Sequence, residues 1–293
     1  MTQHTTKAGF VSIIGAPNAG KSTLLNRLIG QKLSIVSPKV QTTRIRTLGI
    51  LSEDNVQIAF VDTPGIFSPK SKLDKAMVNT AWTSISETEI ILVMIDARTP
   101  YALSGEDEKI SLIINGLQKL KLSSKKKVIL ALNKIDDVKK DRLLPLAKVL
   151  NETNLFSEIF MISALKGDGV KELKDYIIAH IPESPWFYDK DQITDLPSAV
   201  LATEVTREQL FFQLQDELPY SATVIPESFA QQKDGSLLIH QAILVARESH
   251  KPIVIGSKGA RIKSIGQKAR QELTKVFDCK VHLFLNVKIS PQK

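Results

Sequence analysis

Two hydrophobic rhythms divide the chain. Between residue 10 and about residue 180, short runs of consecutive apolar residues recur, each closed by polar or glycine-containing positions. They are Phe10-Val11-Ser12-Ile13-Ile14, Val56-Gln57-Ile58-Ala59-Phe60-Val61, Glu89-Ile90-Ile91-Leu92-Val93-Met94-Ile95-Asp96, Lys127-Val128-Ile129-Leu130-Ala131-Leu132 and Ser157-Glu158-Ile159-Phe160-Met161-Ile162. Strands this apolar are buried on both faces, as in a parallel sheet covered by helices on either side. Apolar positions between them fall at helical spacing, as in Lys21–Ile29 and from Asp168 to about His180. The pattern predicts an α/β domain over residues 1–182.

Ile181-Pro182-Glu183-Ser184-Pro185 stops that rhythm, and residues 183–198 read as a linker in which Trp186-Phe187-Tyr188 pack against a domain. The second rhythm predicts a helix over 204–214, then an extended segment Tyr220-Ser221-Ala222-Thr223-Val224-Ile225 confined to a sheet edge by Pro226. Asp234-Gly235 turns the chain into Leu237-Leu238-Ile239-His240-Gln241-Ala242-Ile243-Leu244-Val245. Ile253-Val254-Ile255-Gly256-Ser257-Lys258-Gly259, a helix over 260–276 and a strand over 281–285 follow. The order α-β-β-α-α-β makes a smaller α+β domain over 199–293.

Chemistry attaches to the ends of the first-half strands. After the first comes Gly15-Ala16-Pro17-Asn18-Ala19-Gly20-Lys21-Ser22-Thr23, which is G-x-x-x-x-G-K-[ST] between a strand and a helix. Glycines let backbone N–H groups approach phosphate oxygens, and the helix adds its positive end. Lys21 is expected to reach the β- and γ-phosphates and the Ser22 hydroxyl to bind Mg²⁺. The polar, basic stretch over 37–47 reads as a loop whose threonine reaches Mg²⁺ only with a γ-phosphate bound. Asp62-Thr63-Pro64-Gly65 ends the next strand. Asp62 is expected to hold magnesium through water, and the Gly65 N–H to meet the γ-phosphate.

The base is decided by Asn133-Lys134-Ile135-Asp136. The Asp136 carboxylate can accept from both the ring N–H and the exocyclic amine of guanine, donors that adenine lacks there. The Lys134 stem would lie over the base, and Asn133 would tie this loop to the cradle. Ser163-Ala164-Leu165 ends the last strand, with the Ala164 N–H expected on the guanine keto oxygen. An ATP-dependent enzyme is disfavoured by Asp136.

Composition adds an anionic partner and a compartment. The net charge is +8, but residues 183–293 carry 14 basic and 13 acidic residues. Between Lys251 and Lys275, seven bases (Lys251, Lys258, Arg261, Lys263, Lys268, Arg270, Lys275) face one acid, Glu272. That concentration beside the Gly256-Ser257-Lys258-Gly259 turn suits a polynucleotide backbone. The Lys125-Lys126-Lys127 run reads as a solvated edge, His240 and His282 as packing residues, and the single Cys279 as a buried thiol in a strand pattern. Residues 1–8 are too short and polar for a secretory signal, and no apolar run reaches ~18 residues. The expectation is a cytoplasmic monomer.

The second-half topology with its Gly-x-x-Gly turn resembles a type II KH domain, which clamps about four single-stranded nucleotides. A GTPase domain followed by one KH domain resembles the bacterial Era family. The likeness rests on the 15–22 cradle, Gln41-Thr42-Thr43-Arg44-Ile45, Asp62-Thr63-Pro64-Gly65, Asn133-Lys134-Ile135-Asp136, Ser163-Ala164-Leu165 and the 256–259 turn. It implies a slow GTPase using GTP/GDP and Mg²⁺, with Thr43 joining Ser22 and Asp62 at the metal. It also implies maturation of the small ribosomal subunit through the 3′ end of 16S ribosomal RNA, and peripheral association with the inner membrane face. Ile66 stands where Ras-like enzymes carry a water-orienting glutamine, which fits the family and leaves that group unidentified. Related potassium-stimulated GTPases suggest that Asn18 helps hold K⁺. The competing reading is a non-enzymatic, GTP-sensing RNA-binding adaptor, favoured by Ile66 alone and opposed by intact Lys21, Ser22 and Asp62.

Overall fold

The computed structural model describes residues 5–37, 39, 46–69, 71–101, 107–120, 126–215 and 218–290. Gln41, Thr42, Thr43, Arg44 and Ile45 of the expected switch lie outside the described residues. By contacts the chain forms two units, Met1–Ser34 with Thr43–Asp195, and Ile35–Thr42 with Leu196–Lys293.

In the first unit the strands are β1 (Lys7–Gly15), β2 (Thr47–Glu53), β3 (Val56–Asp62), β4 (Ile90–Asp96), β5 (Lys127–Asn133) and β6 (Glu158–Ile162), in sheet order β2-β3-β1-β4-β5-β6. All pairings are parallel except β2 with β3. The helices are α1 (Lys21–Ile29), α2 (Lys72–Ser84), α3 (Glu108–Lys119), α4 (Lys140–Asn151) and α5 (Val170–His180).

The uninterrupted apolar strands are explained by two cores. Along β4, Ile90, Leu92 and Met94 pack with Leu24, Leu25 and Leu173 on one face, while Ile91, Val93 and Ile95 pack with Ile113 and Leu146 on the other. Successive side chains of a strand point to opposite faces, so a strand between two helical layers must be apolar at every position. Each buried aliphatic side chain contributes about 1.5–3 kcal/mol.

Strand β2 escaped the sequence reading, which took 37–47 as loop and named no strand after it. Thr47-Leu48-Gly49-Ile50 is buried, yet Thr and Gly break the apolar run. A small third core of Leu48, Ile50, Ala59 and Val61, with Phe10 and Tyr188 packed on it, replaces the missing helix. The expected linker supplies that cover and, as far as Asp195, groups with the first unit. Phe187 stacks on Phe10 at 5.0 Å, Trp186 Nε1 donates to the Asn55 carbonyl (3.2 Å), and Ile50 N–H donates to the Ile193 carbonyl (2.9 Å). The edge of the sheet is thereby covered rather than left open. Lys126 is not simply solvated either: its ammonium donates to the Ile85 and Ser86 carbonyls.

The second unit contains α6 (Ser198–Gln213), α7 (Leu218–Ser221), β7 (Thr223–Gln231), β8 (Leu237–Val245), α8 (Lys251–Ile255), α9 (Ala260–Phe277) and β9 (Val281–Ile289). Its sheet runs β7-β8-β9, with β7 antiparallel and β9 parallel to β8, and β7 is bulged at Pro226/Ser228. Helix α6 begins six residues before the expected start, and Tyr220 and Ser221 are helical rather than extended. Cys279 sits half-buried in the turn before β9, not in a strand. His240 stacks on Phe284 at 4.8 Å. Among the described residues no helix is long and apolar enough to cross a membrane.

Gln57 is fully buried and fastens the covering segment. It accepts from Phe187 N–H (2.9 Å) and Tyr188 N–H (3.0 Å) and donates to the Tyr188 carbonyl (2.9 Å). Gln57→Ala strands these groups and should cost about 2–3 kcal/mol. Limited proteolysis should then cut within 183–195; a cleavage pattern like the wild type's would contradict this role.

Candidate functional site

Among the described residues, those singled out in the first unit converge at the carboxyl ends of β1, β3, β5 and β6, where a parallel sheet of this kind binds ligands. The turn 15–20 leads into α1, whose first turn carries no acidic residue to offset the helix's positive end. Lys21 is buried and its ammonium donates to the carbonyls of Gly15 (3.2 Å) and Ala16 (3.0 Å). Burial pushes Lys21 down to about 8, the Asp62 carboxylate opposing that fall. Gly20 has φ of +101°, and a Cβ there would lie 2.1 Å from Asn133 Nδ2.

Asp62 is fully buried at the end of β3. Its Oδ2 accepts from Ser22 Oγ (2.6 Å) and Ser34 Oγ (2.8 Å), while its Oδ1 is buried without a partner. Burial pushes its carboxyl upward, against Lys21 and the two hydroxyls. A partnerless carboxylate oxygen next to a serine hydroxyl is an oxygen donor set with room for a hard cation. Mg²⁺ therefore fits, with Ser22 and Asp62 as the residues to hold it. Ser34 was not foreseen, because nothing in its local sequence marks it.

Thr63 Oγ1 donates to the Ile13 carbonyl (3.0 Å), and Ile66 N–H donates to the Gly15 carbonyl (2.9 Å). The Ile66 side chain is fully buried in the core on the α3 side, so it contributes packing and no proton chemistry. Gly65 lies against the cradle: a Cβ there would stand 2.7 Å from Pro17 N.

The base loops are bound to the cradle through Asn133. Its Nδ2 donates to the Ala19 carbonyl (2.7 Å), and its Oδ1 accepts from the Ala164 N–H (2.9 Å). Ala164 N–H, expected on a guanine keto oxygen, is thus engaged by Asn133 here and would have to be shared. Lys134 adopts φ of +70° and its ammonium bridges the Asn18 carbonyl (2.6 Å) and Asp96 Oδ2 (2.8 Å). Asp136 is held below the usual carboxylate range, first by the Ser163 hydroxyl, against a burial penalty. It is thus ionised and able to accept two hydrogen bonds. Asp96 was also missed, although it ends β4 directly opposite Asn133 in the strand register.

In the second unit the 256–259 turn has φ of +74° at Gly256, +50° at Lys258 and +77° at Gly259. Two of these left-handed positions are glycines, as the conformation favours. Arg261 donates to the Ile253 carbonyl and braces the turn. Lys258, Lys263 and Arg270 are exposed, and α9 has no acidic residue in its first turn. Beside them a groove of about 350 Å³ runs between α9 and β9, lined by Lys263, Gly266, Gln267, Arg270, Leu283 and Leu285 among others. Arg270 was counted in the basic cluster but not among the contact residues.

A P-loop nucleotide site with a guanine-type base loop, followed by a KH module, defines a two-part RNA-associated GTPase. The family model described as 50S ribosome-binding GTPase matches residues 10–134, and one described as KH domain matches 217–293. GTPase Era of Caulobacter vibrioides (strain NA1000 / CB15N) is 48% identical, covering 98% of this chain and 93% of that protein. GTPase Era of Brucella suis biovar 1 is 49% identical, over 97% and 88%. The solved structure of Era in complex with MgGDPNP and nucleotides 1506–1542 of 16S ribosomal RNA superposes with a TM-score of 0.88 at 40% identity, covering 98% of this chain and 95% of that one. An Aquifex aeolicus Era variant bound to GDP·AlF4⁻ gives the same TM-score, identity and coverage. The chain belongs to the Era family of GTPases.

Gly20→Ala should displace the Asn133 amide and with it both base loops. GDP affinity should fall ~100-fold, about 2.7 kcal/mol, by titration calorimetry. Binding within threefold of wild type would show that the Asn133 clamp is dispensable.

Proposed function

We propose that this protein hydrolyses GTP as a timer for its attachment to the 3′ end of small-subunit ribosomal RNA. The observation that carries the reading is the Asn133 clamp: one side chain joins the phosphate cradle at Ala19 to the base loop at Ala164. Phosphates would sit on the N–H groups of 15–22 with Lys21 across them, and Asp136 would read guanine. Ser22 and Asp62, with Thr43 when the γ-phosphate is present, would hold Mg²⁺, which offsets charge between the β- and γ-oxygens.

With Ile66 in the core, no side chain of this segment orients the attacking water, so basal turnover is slow. GTP engages Thr43 and Gly65, that contact is lost after hydrolysis, and the GTP state is the one in which the KH face takes RNA. Lys258, Arg261 and Lys263 engage the phosphate backbone beside the groove. The 16S RNA held by the Era relative supports the small subunit as the site of action. The 50S description belongs to a family model that covers only part of the nucleotide-binding unit. By likeness to related potassium-stimulated GTPases, Asn18 is the residue for a K⁺ contact, which would show as slower turnover in Na⁺. A cytoplasmic protein that works on ribosomal precursors satisfies the RNA reading. Association with the inner membrane face rests on basic charge alone, and flotation with anionic vesicles tests it.

Phosphate release and crosslinking to total RNA test the two halves together. Asp136→Asn exchanges the acceptor pair for an amide, so preference should swing from guanine to xanthine nucleotides by ~10³-fold or more. Retained GTP preference would remove Asp136 from base reading. Removing Lys258, Arg261 and Lys263 together should lower the log–log salt slope of RNA binding by about 2. An unchanged slope would move the backbone contact elsewhere.

A further inference from the structure

Arg27 lies on the last turn of α1 and was given no role by any motif. Its Nε donates to the Ala164 carbonyl at 2.6 Å and its Nη2 to the Leu165 carbonyl, across 137 residues of sequence. The loop closes around the guanidinium so tightly that a Cβ on Gly167 would stand 2.9 Å from Nη1. Gly167, at φ of +102°, in turn donates its N–H to the Ser163 carbonyl at 2.7 Å. Among the described residues no carboxylate forms an ion pair with Arg27. Its directed donors are spent on two backbone acceptors.

Ala164 is therefore held at both ends, its N–H by Asn133 and its C=O by Arg27. A trans peptide keeps N–H and C=O opposed, so fixing the Ala164 carbonyl also fixes the direction of the Leu165 N–H. Two neighbouring N–H groups at the base loop are thereby set, that of Ala164 by Asn133 and that of Leu165 by a residue of the phosphate-binding helix. We infer that Arg27 is a positioning residue for recognition of the purine 6-keto group, setting the Leu165 donor from the far side of the loop, beside the Ala164 donor that Asn133 holds. This rests on the guanine reading above. Lysine, a single point donor, cannot span both carbonyls as the planar fork does.

The test is competition binding of GDP, of 6-thio-GDP (sulfur in place of the keto oxygen) and of IDP to wild type, Arg27→Ala and Arg27→Lys, with melting temperatures checked by circular dichroism. In the wild type both analogues should bind at least ~10-fold more weakly than GDP, since each leaves polar loop groups poorly paired. In Arg27→Ala, GDP affinity should fall ~10-fold and the 6-thio-GDP penalty should shrink below about threefold. The IDP penalty, read through Asp136, should stay at the wild-type value. Arg27→Lys should lie between, which keeps the test decisive if the alanine variant folds poorly. An unaltered 6-thio-GDP penalty in both variants, or an equal collapse of both penalties, overturns the inference. A wild type indifferent to both analogues overturns the guanine reading and this inference with it.

Discussion

Two opposite charges, buried at the start of α1 and at the end of β3, set the terms for everything around them. Lys21 and Asp62 are each almost wholly removed from water, and burial pushes each toward its neutral form. A protein interior tolerates such groups only when they are paired or coordinate something. Lys21 leans on two carbonyls of its own turn, and Asp62 takes two serine hydroxyls yet keeps one oxygen without a partner. A phosphate next to the ammonium and a cation next to the carboxylate would relieve both. The site is thus unfavourable as it stands and complementary to Mg-nucleotide, which places the free energy of binding where the chemistry occurs.

Around that pair the fold acts as a frame. Cores on both faces of the sheet hold β1, β3 and β5 in register, so the loops at their ends keep their spacing. Asn133 carries that rigidity across from cradle to base loop. Ser34 also matters beyond its hydrogen bond to Asp62. It ends the first stretch of the nucleotide-binding unit, and the residues that follow it, Ile35–Thr42, group with the second unit. There Val36 N–H donates to Glu208 on α6 (2.9 Å), and the Lys39 ammonium donates to the Leu214 carbonyl. A single peptide bond therefore separates a residue hydrogen-bonded to the Asp62 carboxylate from a segment that groups with the second unit.

Much of this was legible from the chain. The five apolar runs, the cradle, Asp62, the 133–136 loop and the glycine turn at 256–259 were all readable because each depends on local residue chemistry at fixed spacing. What escaped depends on partners distant in sequence. Strand β2 is covered by the linker rather than by a helix, so its pattern lacks the continuous apolar run. Ser34, Asp96 and Arg27 look ordinary until the sheet register and the loop after β6 bring their partners to them. Cys279 and the start of α6 were misplaced by a few residues, as happens where an apolar pattern runs past the end of an element.

In the proposed cycle the state of the nucleotide governs the grip on RNA. The most direct measurement is fluorescence anisotropy of a labelled 3′-terminal 16S RNA fragment, titrated with the full chain in Mg²⁺ and saturating GDPNP or GDP. Binding should be at least ~5-fold tighter with GDPNP, the lower end of ordinary allosteric coupling. Equal affinity in the two nucleotides would contradict it, however well either unit binds its own ligand.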